Sequence, residues 1–263
     1  MKLDDVVKRE RPFAEWDLQG LQGAPALRFA QIPSTNRWVR EHAEELEHGT
    51  VVIADQQDNG RGRFDRVWRS PAGKNLYFTL LLQPRDIPLQ SWPQLTQVAA
   101  LTLAKCCQNL GIEVHVKWPN DLLWNKHKLC GILSERTNHG GAPALALGIG
   151  ININSDAEDF AGLDRLAASL SMILEYPLDR EAFLRHYLQK LDEAFTSFAQ
   201  TGIAPWLTEW RGMLNFVGSK ARVVLVDKTV HGTVAGIKED GSLLFLPEGA
   251  SEAMVVYSGD LEV

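Results

Sequence analysis

Gly60 to Leu82 reads G-R-G-R-F-D-R-V-W-R-S-P-A-G-K-N-L-Y-F-T-L-L-L. The stretch crowds Arg61, Arg63, Arg66, Arg69 and Lys74 between glycines and an apolar run, in a chain whose formal net charge is −6. Cations this close repel one another unless an anion or water separates them. Glycines allow close approach of backbone to a ligand. The run Leu76–Leu82 reads as a buried strand behind the loop. These residues fit a loop that closes over a polyanionic small molecule such as a nucleotide, and they equally fit a solvated basic hairpin.

The rest of the chain bounds the choice. Its 263 residues suit one large domain, or one domain with a small companion. An acidic balance excludes wholesale nucleic-acid binding, which needs a basic surface. The cysteines are Cys106, Cys107 and Cys130; an odd number with two adjacent argues against a disulfide framework and for a reducing compartment. No cysteine–histidine cluster has metal spacing. The charged N-terminus lacks the apolar core of a signal peptide, and no apolar run is long enough to span a membrane. A cytoplasmic location is expected.

Outward from the loop, Leu27–Ile32 reads as a first strand. Ser34-Thr35-Asn36 offers a helix cap, before a helix through Trp38, Val39, Ala43 and Leu46 that Gly49 ends. Thr50–Ala54 is a short strand running into a polar loop with Gln56 and Gln57. Trp92 to Leu110 is a long amphipathic helix. Ile112, Val114 and Val116 alternate as a strand leading to Lys117-Trp118-Pro119-Asn120-Asp121. Leu122–Trp124 and Leu129–Leu133 form a hairpin, Gly140-Gly141 a turn, and Ala144–Ile153 a glycine-containing strand. Residues 160–200 read as helical, with Asp179 as a cap, and Pro205 opens a further helix. From about Phe216 short β runs follow in a meander, most simply a small barrel. The expected division is a lead-in over 1–26 with one short helix, a catalytic domain over 27–215 and a small β domain over 216–263.

Two nucleotide-binding templates fail. Gly60-x-Gly62 and Gly148-x-Gly150 lack the third glycine of a dinucleotide fingerprint, and no phosphate-loop motif occurs. Asn120 and Asp121 beside Lys117 could hold a phosphate and its Mg²⁺; a plain Pro-Asn-Asp turn explains them as well. Lys128, before an apolar strand, could reach an anion or snorkel to the surface.

Taken together the motifs resemble one family. Ser34-Thr35-Asn36, Gln57, Gly60-Arg-Gly-Arg-x-x-Arg-x-Trp68, Ser70-Pro71-x-Gly73-x-Asn75-Leu76-Tyr77, Lys117-Trp-Pro-Asn-Asp-Leu122, Lys128-x-x-Gly131-Ile-Leu133 and Gly148-x-Gly150-x-Asn152 follow the order and spacing of biotin–protein ligases. The resemblance covers about residues 27–263. It implies an α+β fold: a mixed β-sheet flanked by helices, related to class II aminoacyl-tRNA synthetases, plus a C-terminal SH3-like barrel. It implies that biotin and MgATP give biotinyl-5′-adenylate, and that a lysine of a carboxylase's biotin-carrier domain then takes the biotinyl group.

Residue by residue, the resemblance places Ser34, Thr35, Asn36, Gln57, Gly60, Arg61, Arg63, Lys128, Gly131 and Gly148 around biotin, with Gly150 also giving close approach. It places Arg61, Arg63, Arg66, Trp68, Lys117, Asn120 and Asn152 around ATP and the adenylate. Lys128, Arg63, Asp121 and Lys117 take the catalytic roles, with Asp121 the candidate Mg²⁺ ligand. No tightly bound cofactor, DNA or membrane is implied, and a homodimer is left open. The rival enzyme is a lipoyl or octanoyl ligase; Gln57 and the Ser34-Thr35 pair argue against its long apolar acyl chain. The rival from another class is a biotin-sensing repressor, for whose DNA-binding module about 26 leading residues are too few. Asp65 departs from the family loop, G-R-G-R-x-G-R. An Asp there tolerates a positive φ better than most residues, or pairs with a neighbouring arginine. Cys130 reads as packing.

Overall fold

The computed structural model describes residues 16–263, so much of the expected lead-in lies outside the described residues. In chain order the first elements are β1 (Ala26–Ile32), α1 (Thr35–Glu41), β2 (Val51–Gln57), β3 (Leu76–Leu82) and α2 (Trp92–Asn109). Then come β4 (His115–Lys117), β5 (Asp121–Trp124), β6 (His127–His139), β7 (Ala142–Ile151), α3 (Leu170–Leu174) and α4 (Arg180–Thr201). The chain ends with α5 (Ala204–Gly212), β8 (Lys220–Val224), β9 (Thr229–Ile237), β10 (Leu243–Pro247), β11 (Met254–Val256) and β12 (Asp260–Glu262). Contacts divide it into two units: residues up to Asp86 with Lys126–Glu193, and Ile87–Asn125 with Ala194–Val263.

In the first unit the strands lie in the order β1-β2-β3-β7-β6. β1 and β2 are parallel and the other pairs antiparallel, so the sheet is mixed. β3 is buried at every position, as its unbroken apolar run demands. Each of its Leu and Phe side chains contributes on the order of 2 kcal/mol by leaving water. Gly140 and Gly141, at φ +58° and +75°, make the two-residue turn between β6 and β7. That turn carries β6 on to His139, which pairs with Ala142, well past the Leu133 at which its apolar signal stops.

Three local expectations change here. The helix capped by Ser34 ends at Glu41, not at Gly49; the chain leaves it at His42, whose ring stacks on Trp38 with centroids 4.1 Å apart. Residues 160–169 are not helical, because their backbone is engaged elsewhere: Lys128 N donates to Leu166 O (2.9 Å) and Ala168 N to Lys128 O (3.2 Å). β2 runs on through Gln57, which pairs with Ile32, so Gln57 sits on a strand end, not in a loop.

In the second unit α2 buries most of its length, β4 pairs with β5, and α5 carries Pro205 in its first turn. The C-terminal strands lie in the order β11-β10-β9-β8-β12, all antiparallel. β11 and β12 are the two ends of this order, so the sheet is open and the expected closed barrel is not formed. β12 has three residues, too few for a periodic signal. Among the described residues no helix is long and apolar enough to cross a membrane.

Candidate active site

The site of the first unit begins with a row of glycines. Gly131 on β6 pairs with Gly150 on β7, and Leu133 pairs with Gly148. Directly opposed residues share a face of the sheet, as do residues two apart on one strand. Gly131, Gly148 and Gly150 therefore clear one face of side chains. Trp68 lies over this floor: a methyl group on Gly150 would sit 2.6 Å from its Cε2, and one on Gly131 would sit 3.0 Å from its Cζ3. Asn36 covers Gly148 in the same way, at 3.2 Å. Trp68 Nε1 and Asn36 Oδ1 are buried polar atoms without a hydrogen-bond partner.

The basic stretch that delivers Trp68 is itself a small hairpin. Trp68 N donates to Gly60 O (2.8 Å), Gly62 N donates to Arg66 O (2.7 Å), and Arg61 bridges Val67. Gly60 has no room for a side chain, since a methyl there would meet Trp68 O at 2.4 Å. The left-handed residue at the tip is Phe64, φ +54°, not Asp65; the Asp65 side chain is outside the described set. Two of the five cations have structural work outside the hairpin. Lys74 bridges Asp156 (2.8 Å) and Asp159 (2.7 Å), whose hydrogen bonds push its pKa up to about 12, and Arg69 donates to Ala161 O (2.6 Å). Arg61, Arg63 and Arg66 are the cations of the hairpin proper, with the Arg63 guanidinium 5.3 Å from the Phe64 ring centroid.

A chain of hydrogen bonds joins this hairpin to the turn after β1. Thr79 Oγ1 donates to Thr35 Oγ1 (2.9 Å), and Thr35 N and Oγ1 donate to Gln57 Oε1 (2.9 and 3.2 Å). Gln57 Nε2 donates to Ser70 Oγ (3.0 Å), which donates to Trp68 O (3.2 Å). The Thr35 backbone N–H can only donate, so the Gln57 amide orientation is determined. Ser34 caps α1 by accepting from Arg37 N (3.4 Å). Asn36 Nδ2 donates to Leu133 O (3.3 Å) and Glu135 (3.0 Å). Thr79 and Ser70 are working parts of this network that sequence reasoning did not assign; Thr79 sits inside an apolar run, and Ser70 reads as part of a Ser-Pro turn.

Lys128 stands at the edge of the glycine floor, its Nζ 5.5 Å from the Trp68 ring centroid and 3.1 Å from where a methyl on Gly131 would lie. Its main chain is pinned by Leu166 and Ala168, and its carbonyl also accepts from Asn152 Nδ2 (3.1 Å). Asn152 Nδ2 donates to Ala168 O as well (3.2 Å), so its amide N–H groups brace Lys128. Cys130 is wholly buried.

Lys117, Asn120 and Asp121 belong to the second unit. Lys117 is at the end of β4 with its Nζ 3.7 Å from Asp260 Oδ1, both side chains well shielded. Asn120 and Asp121 are buried.

Known proteins share this sequence pattern and fold. The model of the biotin/lipoate A/B protein ligase family matches residues 28–154. The solved biotin protein ligase from Aquifex aeolicus in complex with biotin and ATP superposes with a TM-score of 0.78 at 26% identity, over 90% of this chain and 97% of that one. The bifunctional ligase/repressor BirA of Bacillus subtilis (strain 168) is 35% identical over 237 residues, which are 88% of this chain and 72% of that protein. The biotin--[acetyl-CoA-carboxylase] ligase of Paracoccus denitrificans is 33% identical over 227 residues, covering 82% and 92%. The chain belongs to the biotin–protein ligases of the biotin/lipoate A/B protein ligase family.

Proposed function

We propose that this protein attaches biotin to a lysine of a carboxylase's biotin-carrier domain, using ATP and passing through biotinyl-5′-adenylate. The observation that carries the reading is one face of one sheet on which a glycine floor, the Gln57–Thr35 polar pair and Lys128 come together. Biotin's fused rings are compact and largely apolar apart from a planar ureido group that has one acceptor and two donors. A side-chain-free floor, on which the Trp68 indole itself rests here, gives such rings room once the hairpin shifts, and short polar groups at one end suit the ureido edge.

In the first step the biotin carboxylate attacks the α-phosphorus of ATP, forming the acyl-phosphate bond and releasing pyrophosphate. Lys128 offers a point charge to the carboxylate and to the oxygens on which charge develops. Arg61, Arg63 and Arg66 lie in the hairpin that lays Trp68 on the floor, so its closure sets cations beside the phosphates and excludes water. In the second step the carrier lysine's amine attacks the acyl carbon; the amide forms, AMP leaves and a proton is lost. Lys117, Asn120 and Asp121 serve the nucleotide in this reading, and Asp121 helps orient the incoming amine. Asn120 and Asp121 supply buried oxygen donors of the kind Mg²⁺ prefers. The C-terminal strands are read as the family's SH3-like module in an open form, the larger sheet as kin to class II aminoacyl-tRNA synthetases, and the cytoplasm as the place of work.

The test is pyrophosphate exchange with biotin, lipoate and octanoate in parallel. Exchange stimulated by biotin alone is expected; stimulation by lipoate but not biotin would sink the assignment. A second expectation concerns the hairpin. Arg63→Gly should still form the adenylate but retain it poorly, because an open loop exposes the anhydride to water and to stray lysines. Undiminished retention, measured by mass spectrometry after gel filtration, contradicts the lid role.

A further inference from the structure

The second unit holds a buried contact that the reaction as described does not use. The Asp240-Gly241 turn between β9 and β10 inserts its backbone between α2, α5 and the Lys117–Asp121 segment. Gly241 O accepts from Trp118 Nε1 (3.1 Å) and from Gln97 Nε2 (3.1 Å), and Asp240 O accepts from Gln94 Nε2 (2.9 Å). Trp118 is 1% exposed and Gln97 5%, so both bonds to Gly241 are made away from water, where a missing partner is costly. The turn is shaped for the slot. Gly241 has φ +79°, and a methyl on it would sit 2.4 Å from Gln97 Oε1 and 3.1 Å from the Trp210 ring. Asp240 holds the turn from within by accepting from Ser242 N (2.9 Å) and Ser242 Oγ (2.5 Å).

Trp118 is flanked in sequence by the residues assigned above to the nucleotide. Its indole fixes where the chain passes from Lys117 to Asn120 and Asp121, and the indole is in turn fixed by a carbonyl of the C-terminal sheet. We propose that Gln97 and Gly241 are positioning residues for nucleotide use: the β9–β10 turn latches Trp118 and thereby sets Lys117, Asn120 and Asp121 for ATP. The proposal rests on the ligase reading and deepens it, giving the C-terminal sheet a role in the first step. Groups shifted slightly away from a phosphate they must meet lose binding to it, at a displacement too small to unsettle the fold.

The experiment measures biotin-dependent pyrophosphate exchange for the whole chain and for Trp118→Phe and Gln97→Met, each of which deletes one donor to Gly241 O while keeping side-chain bulk. Loss of one buried donor should lower kcat/KM for ATP at saturating biotin by about five- to tenfold. The kcat/KM for biotin at saturating ATP should change by less than about twofold, since ATP then offsets the loss by mass action. Gly241→Ala should show the same split more strongly, and Arg222→Ala, which breaks an exposed pair with Glu262 on the same sheet, should leave both values unchanged. A fall of equal size in both values, or no fall in the ATP value for either Trp118→Phe or Gln97→Met, overturns the latch. Failure of the parent chain to exchange with biotin would instead overturn the ligase reading, so the two failures are distinct.

Discussion

Alanine in place of Lys128 is expected to cut biotin-dependent pyrophosphate exchange by about a thousandfold or more while leaving the folded state nearly as stable as before. The two halves of this expectation come from different atoms. The lysine main chain is part of the architecture: it bonds Leu166 and Ala168 and accepts from Asn152, and alanine keeps all three bonds. The side chain is half-exposed and lies along the glycine floor beside Trp68, where it can oppose a carboxylate and then an acyl phosphate. A charge held in place before the reaction costs no reorganisation when negative charge develops, which is why a single such group can be worth several kcal/mol. Lys128→Arg should recover only part of the loss. It keeps the charge but brings a broader, planar head into a space where even a methyl on Gly131 would sit 3.0 Å from Lys128 Cε. Exchange by the alanine variant within about tenfold of the parent, with an unchanged melting curve, would remove Lys128 from the chemistry.

Lys128 also shows how far its own sequence context reached: that context fitted an anion contact or a snorkelling lysine, and the resemblance assigned the role. Its placement follows from an apolar strand with a glycine three residues on, and the pairing of Gly131 with Gly150 completes what the motifs suggest. Gln57, Thr35 and Trp68 carried no strong signal of their own and took their roles from the resemblance, Gln57 as part of a loop that proves to be a strand end. The basic stretch was readable only as a pair of alternatives, of which the structure shows the hairpin. It is a hairpin, as its Arg61–Val67 bridge shows, and two of its five cations are engaged by the 156–161 segment, Lys74 by two carboxylates and Arg69 by backbone carbonyls. That pairing spans more than eighty residues of chain, and no local pattern announces it. The same limit hid the extended path of residues 166–168, whose leucine and alanines look helical but whose backbone is claimed by Lys128. It hid Gln97 too, a polar residue on a helix whose partner is a carbonyl in a distant turn. The open C-terminal sheet differs from a barrel only in how its edge strands end, and strands of three residues carry no periodicity from which to read that.

Valine in place of Gly150 should separate stability from function most sharply. Gly150 does not need a glycine backbone, because no positive φ is recorded there, and it sits inside a strand paired on both sides, with Tyr77 and with Gly131. A β-branched residue suits such a position, and removing a strand glycine restores about 0.5–1 kcal/mol of backbone entropy. The nearest obstacle is Trp68: the first added carbon would lie 2.6 Å from Cε2, 2.7 Å from Nε1 and 2.8 Å from Cζ2 of the indole. Forcing that overlap costs about 1–3 kcal/mol. The hairpin can escape by swinging out, since Val67 and Phe64 at its outer side are exposed. Relief therefore comes by moving the hairpin, not by unfolding the sheet. The expected result is a melting temperature equal to or above the parent's, with kcat/KM for biotin reduced by about a hundredfold, because both the floor and its cover are lost. Gly131→Val should behave alike, since Trp68 and Lys128 crowd that site together. Thermal unfolding and exchange kinetics on the same preparations decide the matter. A Gly150→Val protein that unfolds at lower temperature shows the glycine is structural, and one that exchanges normally shows the floor is not where biotin lies.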